Sequence, residues 1–164
     1  MCFCVLKNVT FADSNTNTME KKQIIPKWTD SVRLVKSEDL NHHGTLFAGR
    51  TAEWFVESGF VSAAAIINPK HVVCLKIHGM YFTKPVGPGQ ILKFSSKIVF
   101  AGTSSLVAYI QVTTGGDEAS FVNGFITFFH VDETTNATPH GITIVPQTEE
   151  EIALYNKARE LRKS

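Results

Sequence analysis

The 164-residue sequence has no excess of either charge and no long apolar run, and it is poor in cysteine. Its 16 basic and 15 acidic side chains give a net charge of +1, which argues against a protein that binds nucleic acid or a membrane surface electrostatically. No apolar run approaches the roughly 18 residues that a membrane span requires. The three cysteines form no disulfide framework, so we expect free thiols in a reducing cytoplasm.

Several common active-site signatures are absent as well. The sequence contains no Gly-x-Ser-x-Gly elbow, no Walker loop, no dinucleotide fingerprint and no His-Glu-x-x-His pair. These absences disfavour the common hydrolases, nucleotide enzymes and zinc proteases. Although His42 and His43 are adjacent, no carboxylate or third histidine accompanies them at the spacing of metal ligands, so we expect no metal site.

The chain divides into three parts by composition. Residues 1–25 include a short polar stretch and are predicted to be a tail outside the fold. Residues 26–147 carry the readable periodicities and are predicted to form one domain. Residues 148–164 combine charged and apolar residues at helical spacing, which predicts a peripheral C-terminal helix.

Within the domain, one long helix precedes a series of strands. Residues 46–68 are rich in alanine and contain no proline, which predicts a helix that ends before Pro69. Alternating and β-branched residues predict strands at 28–35, 71–82, 90–100, 104–113 and 119–131. One early helix followed by antiparallel hairpins is an α+β layout, most simply packed as a curved sheet around the helix.

The helix contains one ionisable residue in an apolar stretch. Glu57 is the only such group between residues 54 and 67. Because a buried carboxylate without a partner is costly, a lone acid in such a helix is a candidate catalytic group. The alternative is an acid that pairs with an arginine or reaches solvent, and the residues alone leave both interpretations open. Asn41, upstream, can hydrogen-bond a carbonyl or a water, or can be an ordinary turn residue.

Four segments resemble, in order, the motifs of hot-dog-fold acyl-CoA thioesterases. Residues 38–49 resemble the pattern D-x-N-x-x-G-x-x-(F/H)-G-G, which opens the central helix of that family. Residues 82–87 look like the family's Pro-hydrophobic-x-Gly turn, residues 101–105 like its G-x-S-S hairpin, and residues 124–132 like its last long strand. The resemblance covers about residues 29–134.

The resemblance implies a hot-dog fold, in which a curved antiparallel sheet wraps a long central helix. It implies hydrolysis of a fatty or short-chain acyl-CoA to the free acid and CoA, with no cofactor, because CoA is part of the substrate. It also implies self-association as a dimer, tetramer or hexamer, with the site between subunits. The alternative is a non-catalytic hot-dog protein that binds acyl-CoA and has a sensor or structural role.

The same resemblance implies roles for individual residues. Asn41 matches the family's Asn, and Glu57 matches the second of two acidic positions, the first of which is Val56 here. Glu57 would act as general base or nucleophile while Asn41 positions the water or the thioester. The start of the helix would receive the oxyanion through Gly44, Thr45 and Gly49. Contacts to CoA are implied for Gly102, Thr103, Ser104, Arg50 and Lys84.

The scarcity of charge, 19% of residues, also bears on assembly. Four phenylalanines fall in the last predicted strand, at positions 121, 125, 128 and 129. They place apolar side chains on both faces of a single-layer sheet, so the outer face would meet water unless something covers it. We therefore expect a second copy of the chain to cover the outer face.

Overall fold

The computed structural model describes residues 21–115 and 119–162, which form eight strands and two α-helices. In chain order these are β1 Lys22–Ile24, β2 Thr29–Leu34, α1 Ala48–Ala64, β3 Val72–Ile77, β4 Tyr81–Phe82, β5 Ile91–Ala101, β6 Ser105–Thr114, β7 Val122–His130, β8 Ile142–Ile144 and α2 Glu149–Leu161. Every predicted strand is present, although residues 71–82 form two short strands instead of one. The predicted α+β layout is confirmed.

The main sheet is antiparallel throughout and has six strands. Its order is β2-β5-β6-β7-β3, and β4 pairs with β7 beside that path. The longest pairing joins β5 to β6, from Leu92 opposite Thr114 to Ala101 opposite Leu106, with an irregularity between Ile98 and Phe100. Strand β2 is therefore one edge of the sheet, and β3 and β4 together form the other.

Helix α1 lies across one face of this sheet and contacts β2, β3, β5, β6 and β7. Its buried residues are Thr51, Phe55, Ser58, Gly59, Ser62 and Ala63. A Cβ at Gly59 would lie 3.2–3.3 Å from side-chain atoms of Ile110, Ile126 and Phe128, so the helix approaches the sheet closely only because this residue has no side chain. The helix is shorter than the predicted 46–68. The Asn68 side chain caps a separate short turn at Pro69–His71.

Helix α2 covers the opposite face of the sheet. Tyr155 packs edge-on against Phe100 with ring centroids 5.2 Å apart, and Ala158 is fully buried. Phe125 of β7, which is also buried, belongs to the same apolar cluster. The expectation that a second subunit covers the outer face was wrong at Phe125, because the chain's own C-terminal helix covers it.

A buried lysine lies beneath the start of α2. The side chain of Lys97, on the outer face of β5, is only 3% exposed. Its ammonium lies 3.6 Å from the Glu151 carboxylate and 4.3 Å from the centre of the Trp28 ring. The charge is thus compensated by one anion and one aromatic face, which fixes α2 on the sheet.

The predicted N-terminal tail is partly folded. The prediction was wrong for Lys22–Ile24, since this segment pairs in parallel with Ile142–Ile144 as a second, two-stranded sheet. Residues 1–20, including Cys2 and Cys4, lie outside the described residues. Cys74 on β3 is an exposed free thiol. Neither described helix is long and apolar enough to cross a membrane.

Candidate active site

Asn41 organises the loop that leads from β2 into α1. Its Oδ1 accepts hydrogen bonds from the N–H groups of His43, at 2.9 Å, and Thr45, at 3.3 Å. Its Nδ2 donates to Thr45 Oγ1 at 3.1 Å. Gly44, between them, has a φ of +73°, which favours glycine. Asn41 therefore acts as a turn residue, which was the second of its two interpretations from the sequence. One Nδ2 hydrogen remains for a further partner.

The start of α1 presents open backbone donors. Among the predicted oxyanion residues, the N–H of Gly44 donates to the Asn41 carbonyl and that of Thr45 to the Asn41 side chain. The first turn differs, because three N–H groups donate to no described residue: those of Ala48, Gly49 and Arg50. Unpaired amides at a helix N-terminus favour negative charge. Of the predicted donors, Gly49 is the one whose N–H is open.

A cavity of about 430 Å³ lies between this loop, the first turns of α1 and the segment after β4. Its lining residues are Asn41, Leu46, Ala48, Thr51, Phe82, Thr83, Lys84, Pro85, Val86 and Phe121. The structure thus brings Asn41 together with the predicted turn at residues 82–87. Lys84, a predicted CoA contact, places its ammonium 3.4 Å from Thr114 Oγ1 at this cavity.

Glu57 does not line this cavity. Its side chain is 50% exposed, and its Oε2 accepts a hydrogen bond from the Arg33 guanidinium at 2.8 Å. Of the two interpretations that the sequence leaves open, the structure shows the acid that pairs with an arginine and reaches solvent. The residues four positions away, Glu53 and Val61, lie on the same exposed face of α1. Eight residues separate Glu57 from Gly49, about 12 Å along the helix axis. Within one chain, the acid and the Asn41 cavity are apart.

Arg50, another predicted CoA contact, is bound to acidic side chains. Its Nε lies 3.1 Å from Asp39 Oδ1, and one of its terminal nitrogens lies 2.7 Å from Glu53 Oε2. The Asp39 side chain is nearly buried and accepts a further hydrogen bond from the Lys36 N–H. Arg50 therefore holds the short helical turn of Asp39 against the start of α1.

The other predicted CoA contacts lie at the far end of the sheet. Gly102, Thr103 and Ser104 form the turn between β5 and β6. The opposite end of β5, at Ile91, pairs with Leu34 beside the Asn41 loop. Eleven residues of extended strand separate the two ends by about 33 Å. One chain therefore holds two distant halves of the predicted site.

A second cavity, also about 430 Å³, lies at the β5–β6 turn. It is lined by Lys21, Ala101, Gly102, Thr103, Pro139, Gly141, Ile142, Thr143, Tyr155 and Arg162. Two of these residues are cationic and none is acidic. Neither Lys21 nor Arg162 belongs to a motif, since no local pattern in the sequence connects the two ends of the described chain with the turn. No cluster of His, Cys, Asp and Glu in the described part of the chain could hold a metal ion.

Comparison with known proteins identifies the family of this chain. The family model of the thioesterase superfamily matches residues 43–120. The uncharacterized acyl-CoA thioester hydrolase YkhA of Bacillus subtilis (strain 168) is 30% identical over 124 residues, which cover 73% of this chain and 71% of that protein. The chain belongs to the thioesterase superfamily. The predicted family and the assignment as a thioester hydrolase are confirmed.

Solved structures of thioesterases share the fold. A hexameric acyl-CoA thioesterase, solved in its apo form, is 28% identical with a TM-score of 0.75, and the match covers 83% of this chain and 88% of that one. The acyl-CoA hydrolase of Staphylococcus aureus, solved with butyryl-CoA, CoA and CoA disulfide, is 23% identical with a TM-score of 0.74, over 87% and 89% of the two chains. The predicted hot-dog fold is confirmed.

Proposed function

We propose that this thioesterase hydrolyses acyl-CoA to the free acid and CoA at a site formed between subunits. The observation that carries the proposal is the Asn41 cavity, which is lined by an amide side chain and by Ala48, the first residue of α1, whose N–H is open. An apolar cavity with a few convergent polar groups is typical of a small-molecule site. The apolar walls, such as Val86 and Phe121, would hold the acyl chain.

The proposed chemistry uses three groups. Glu57 takes a proton from a water molecule, whose oxygen adds to the thioester carbonyl. The resulting oxyanion is received by an open N–H of the first turn, at the positive end of α1, where Ala48 lines the cavity and Gly49 follows it. Asn41 orients the water or the thioester with its remaining Nδ2 hydrogen. The C–S bond then breaks, and CoA leaves with the proton on its sulfur.

A second copy of the chain would complete this site. Glu57 and the Asn41 cavity are apart within one chain, and the β5–β6 turn lies at the opposite end of the sheet, so one chain cannot supply all three to one substrate. The edge strand β3 exposes Val73, Leu75 and Ile77, and Leu75 is 59% exposed. An apolar edge with unpaired backbone groups favours pairing with another strand. Pairing two chains there is the proposed route to a shared site.

The site needs neither a metal nor a cofactor in this proposal, since the carboxylate and the backbone amides supply the base and the oxyanion donors. We place the reaction in the cytoplasm, where the exposed Cys74 thiol would stay reduced. Self-association would occur at least as a dimer.

A non-catalytic acyl-CoA-binding protein is the second candidate. It is favoured by the position of Glu57, whose carboxylate is bonded to Arg33 at the surface and does not line the cavity. Val56 also stands at the position of the first family acid. A protein of this kind would retain the cavity and the CoA contacts and lack the base.

One experiment separates these candidates. Purified protein is incubated with acyl-CoAs of increasing chain length, and the products and the protein-bound species are identified by mass spectrometry. Release of free CoA supports the hydrolase, whereas bound, intact acyl-CoA supports the binding protein. If neither free CoA nor bound acyl-CoA is found, both proposals are refuted. Sedimentation of the same sample tests the shared site, which a stable monomer with full activity would contradict.

A further inference from the structure

The guanidinium of Arg162 lies directly against the turn between β5 and β6. A Cβ at Gly102 would lie 3.1 Å from a terminal nitrogen of Arg162 and 2.5 Å from Ser105 Oγ. Gly102 therefore lets the cation approach the backbone of the turn. No hydrogen bond or ion pair connects the Arg162 side chain to another residue in the described part of the chain, so its donors are open.

The surroundings of this arginine suit an anion. The cavity at the turn contains a second cation, Lys21, and no carboxylate among its lining residues. A buried hydroxyl, Ser105 Oγ, lies under the turn without a hydrogen-bond partner. Arg50, by contrast, has two acidic partners at the other end of the sheet. Arg162 and Lys21 are thus cations that the fold gathers around one cavity, and no carboxylate of the described residues pairs with either of them.

The position of Arg162 is fixed by the packing of α2. Tyr155 and Ala158 pack the inner face of this helix against the sheet. The Lys97–Glu151 ion pair attaches the first turn of the helix to β5. Arg162 follows the last helical residue, and its backbone N–H still donates to the Ala158 carbonyl. The guanidinium therefore reaches the turn from a rigid support, which reduces the entropy lost when it binds a ligand.

We propose that Arg162, assisted by Lys21, binds a phosphate group of the CoA moiety and makes the enzyme select nucleotide-bearing thioesters. This inference rests on the proposed function, because it assigns the phosphate end of the same substrate. A planar guanidinium binds phosphate through two parallel N–H donors, which an ammonium cannot match. A thioester of pantetheine, which has the same reacting carbonyl and no phosphate, would gain nothing from Arg162.

The test compares two substrates in the full-length protein. Arg162→Gln should raise KM for acyl-CoA about tenfold or more, because hydrogen bonds to charged groups are lost, and leave kcat unchanged. Its kinetics with the acyl-pantetheine thioester should not change. Arg162→Lys should recover part of the affinity. Arg159→Gln, which removes an exposed cation one turn earlier on α2, is the matched control and should leave both substrates unaffected.

Each outcome decides the proposal. An equal change with both substrates, or no change with acyl-CoA, would overturn it, and so would an equal effect of Arg159→Gln. Thermal unfolding of both variants shows whether α2 stays folded. If the wild type hydrolyses neither thioester, the proposed function fails, and calorimetric binding of CoA to wild type and Arg162→Gln then tests this inference separately. The inference would be refuted if CoA did not bind, or if it bound equally well to the wild type and to Arg162→Gln.

Discussion

The Glu57 carboxylate accepts a hydrogen bond from the Arg33 guanidinium at 2.8 Å, and this contact joins the exposed face of α1 to the edge strand β2. Both side chains are well exposed, so the pair orients the acid without burying it. A carboxylate held in this way remains accessible to water and to a neighbouring subunit. The pair therefore determines where the proposed base would act.

Glu57→Gln should lower kcat by about 10²- to 10⁴-fold, the range typical of a general base. Its free energy of unfolding should change by less than about 1 kcal/mol, because an exposed ion pair contributes little. Glu53→Gln, on the same face one turn earlier, is the control and should keep full activity. Steady-state kinetics and chemical denaturation measure both. Undiminished hydrolysis by folded Glu57→Gln would rule out this role and favour the binding protein.

Asn41→Asp should retain the loop and lose activity. An aspartate keeps the acceptor for the N–H groups of His43 and Thr45 and lacks the Nδ2 donor. If Asn41 donates to the reacting group, kcat should fall about 10²-fold or more, as when one oxyanion donor is removed. His43→Ala in the same loop should have no such effect. Equal activity of Asn41→Asp and the wild type would leave Asn41 as a turn residue only.

Glu151→Gln should destabilise the fold by about 3 kcal/mol, because it leaves the buried Lys97 without its anion. The amide can still accept the hydrogen bond that Gln147 N–H donates to the carboxylate, so the start of α2 stays capped. Glu150→Gln, at the exposed neighbouring position, is the control. Urea denaturation compares the two variants. Equal stability of both would show that the 3.6 Å contact contributes nothing measurable.

Gly59→Ala should destabilise the domain by about 1–3 kcal/mol, the usual cost of overpacking. The added methyl group would press on the side chains of Ile110, Ile126 and Phe128 and outweigh the helix propensity it gains. Gly87→Ala, whose Cβ would meet no atom within 4 Å, should stay within about 0.5 kcal/mol of the wild type. Denaturant midpoints measure both. A stabilised Gly59→Ala would mean that the helix can move away from the sheet.

Stability should also fall in mild acid because of His140. Burial lowers the pKa of this imidazole from 6.5 and outweighs the opposing hydrogen bond with the Ser105 carbonyl, while the nearby His130 lowers it further. The unfolded chain then binds more protons than the folded one, so the free energy of unfolding decreases as pH falls from 6.5 toward the lower folded-state pKa. His140→Asn should reduce this decrease. Melting temperatures at pH 7.5 and 5.5 check it, and His78, whose pKa is also lowered by burial, acts in the same direction.

The sequence predicts well those elements that show a local hydrophobic periodicity. Residues 90–100 alternate along one strand, and β5 is found at Ile91–Ala101. Strands β1 and β8 were missed because three residues show no periodicity and their partners lie about 120 positions apart. The apolar neighbours of Glu57 in sequence leave its burial undecided, because burial depends on which side of the helix meets the sheet. Burial therefore required the three-dimensional packing.

The candidate site follows the same division. Asn41 and the turn at residues 82–87 belong to motifs, and the structure places both at one cavity. The predicted cations Arg50 and Lys84 could be located only with their partners in view, since Asp39 and Glu53 hold the first and Thr114 lies beside the second. Arg162 approaches Gly102 across 60 residues of sequence, a contact that only the folded chain reveals.

The cavity at the β5–β6 turn is bordered by Lys21 and Arg162, residues from both ends of the described chain. A fusion partner or affinity tag joined after Ser164 would begin three residues from Arg162, within about 11 Å of extended chain. A cationic or histidine-rich tag placed there would add its own attraction for phosphates. Kinetic comparisons of Arg162 variants should therefore use protein from which C-terminal additions have been removed.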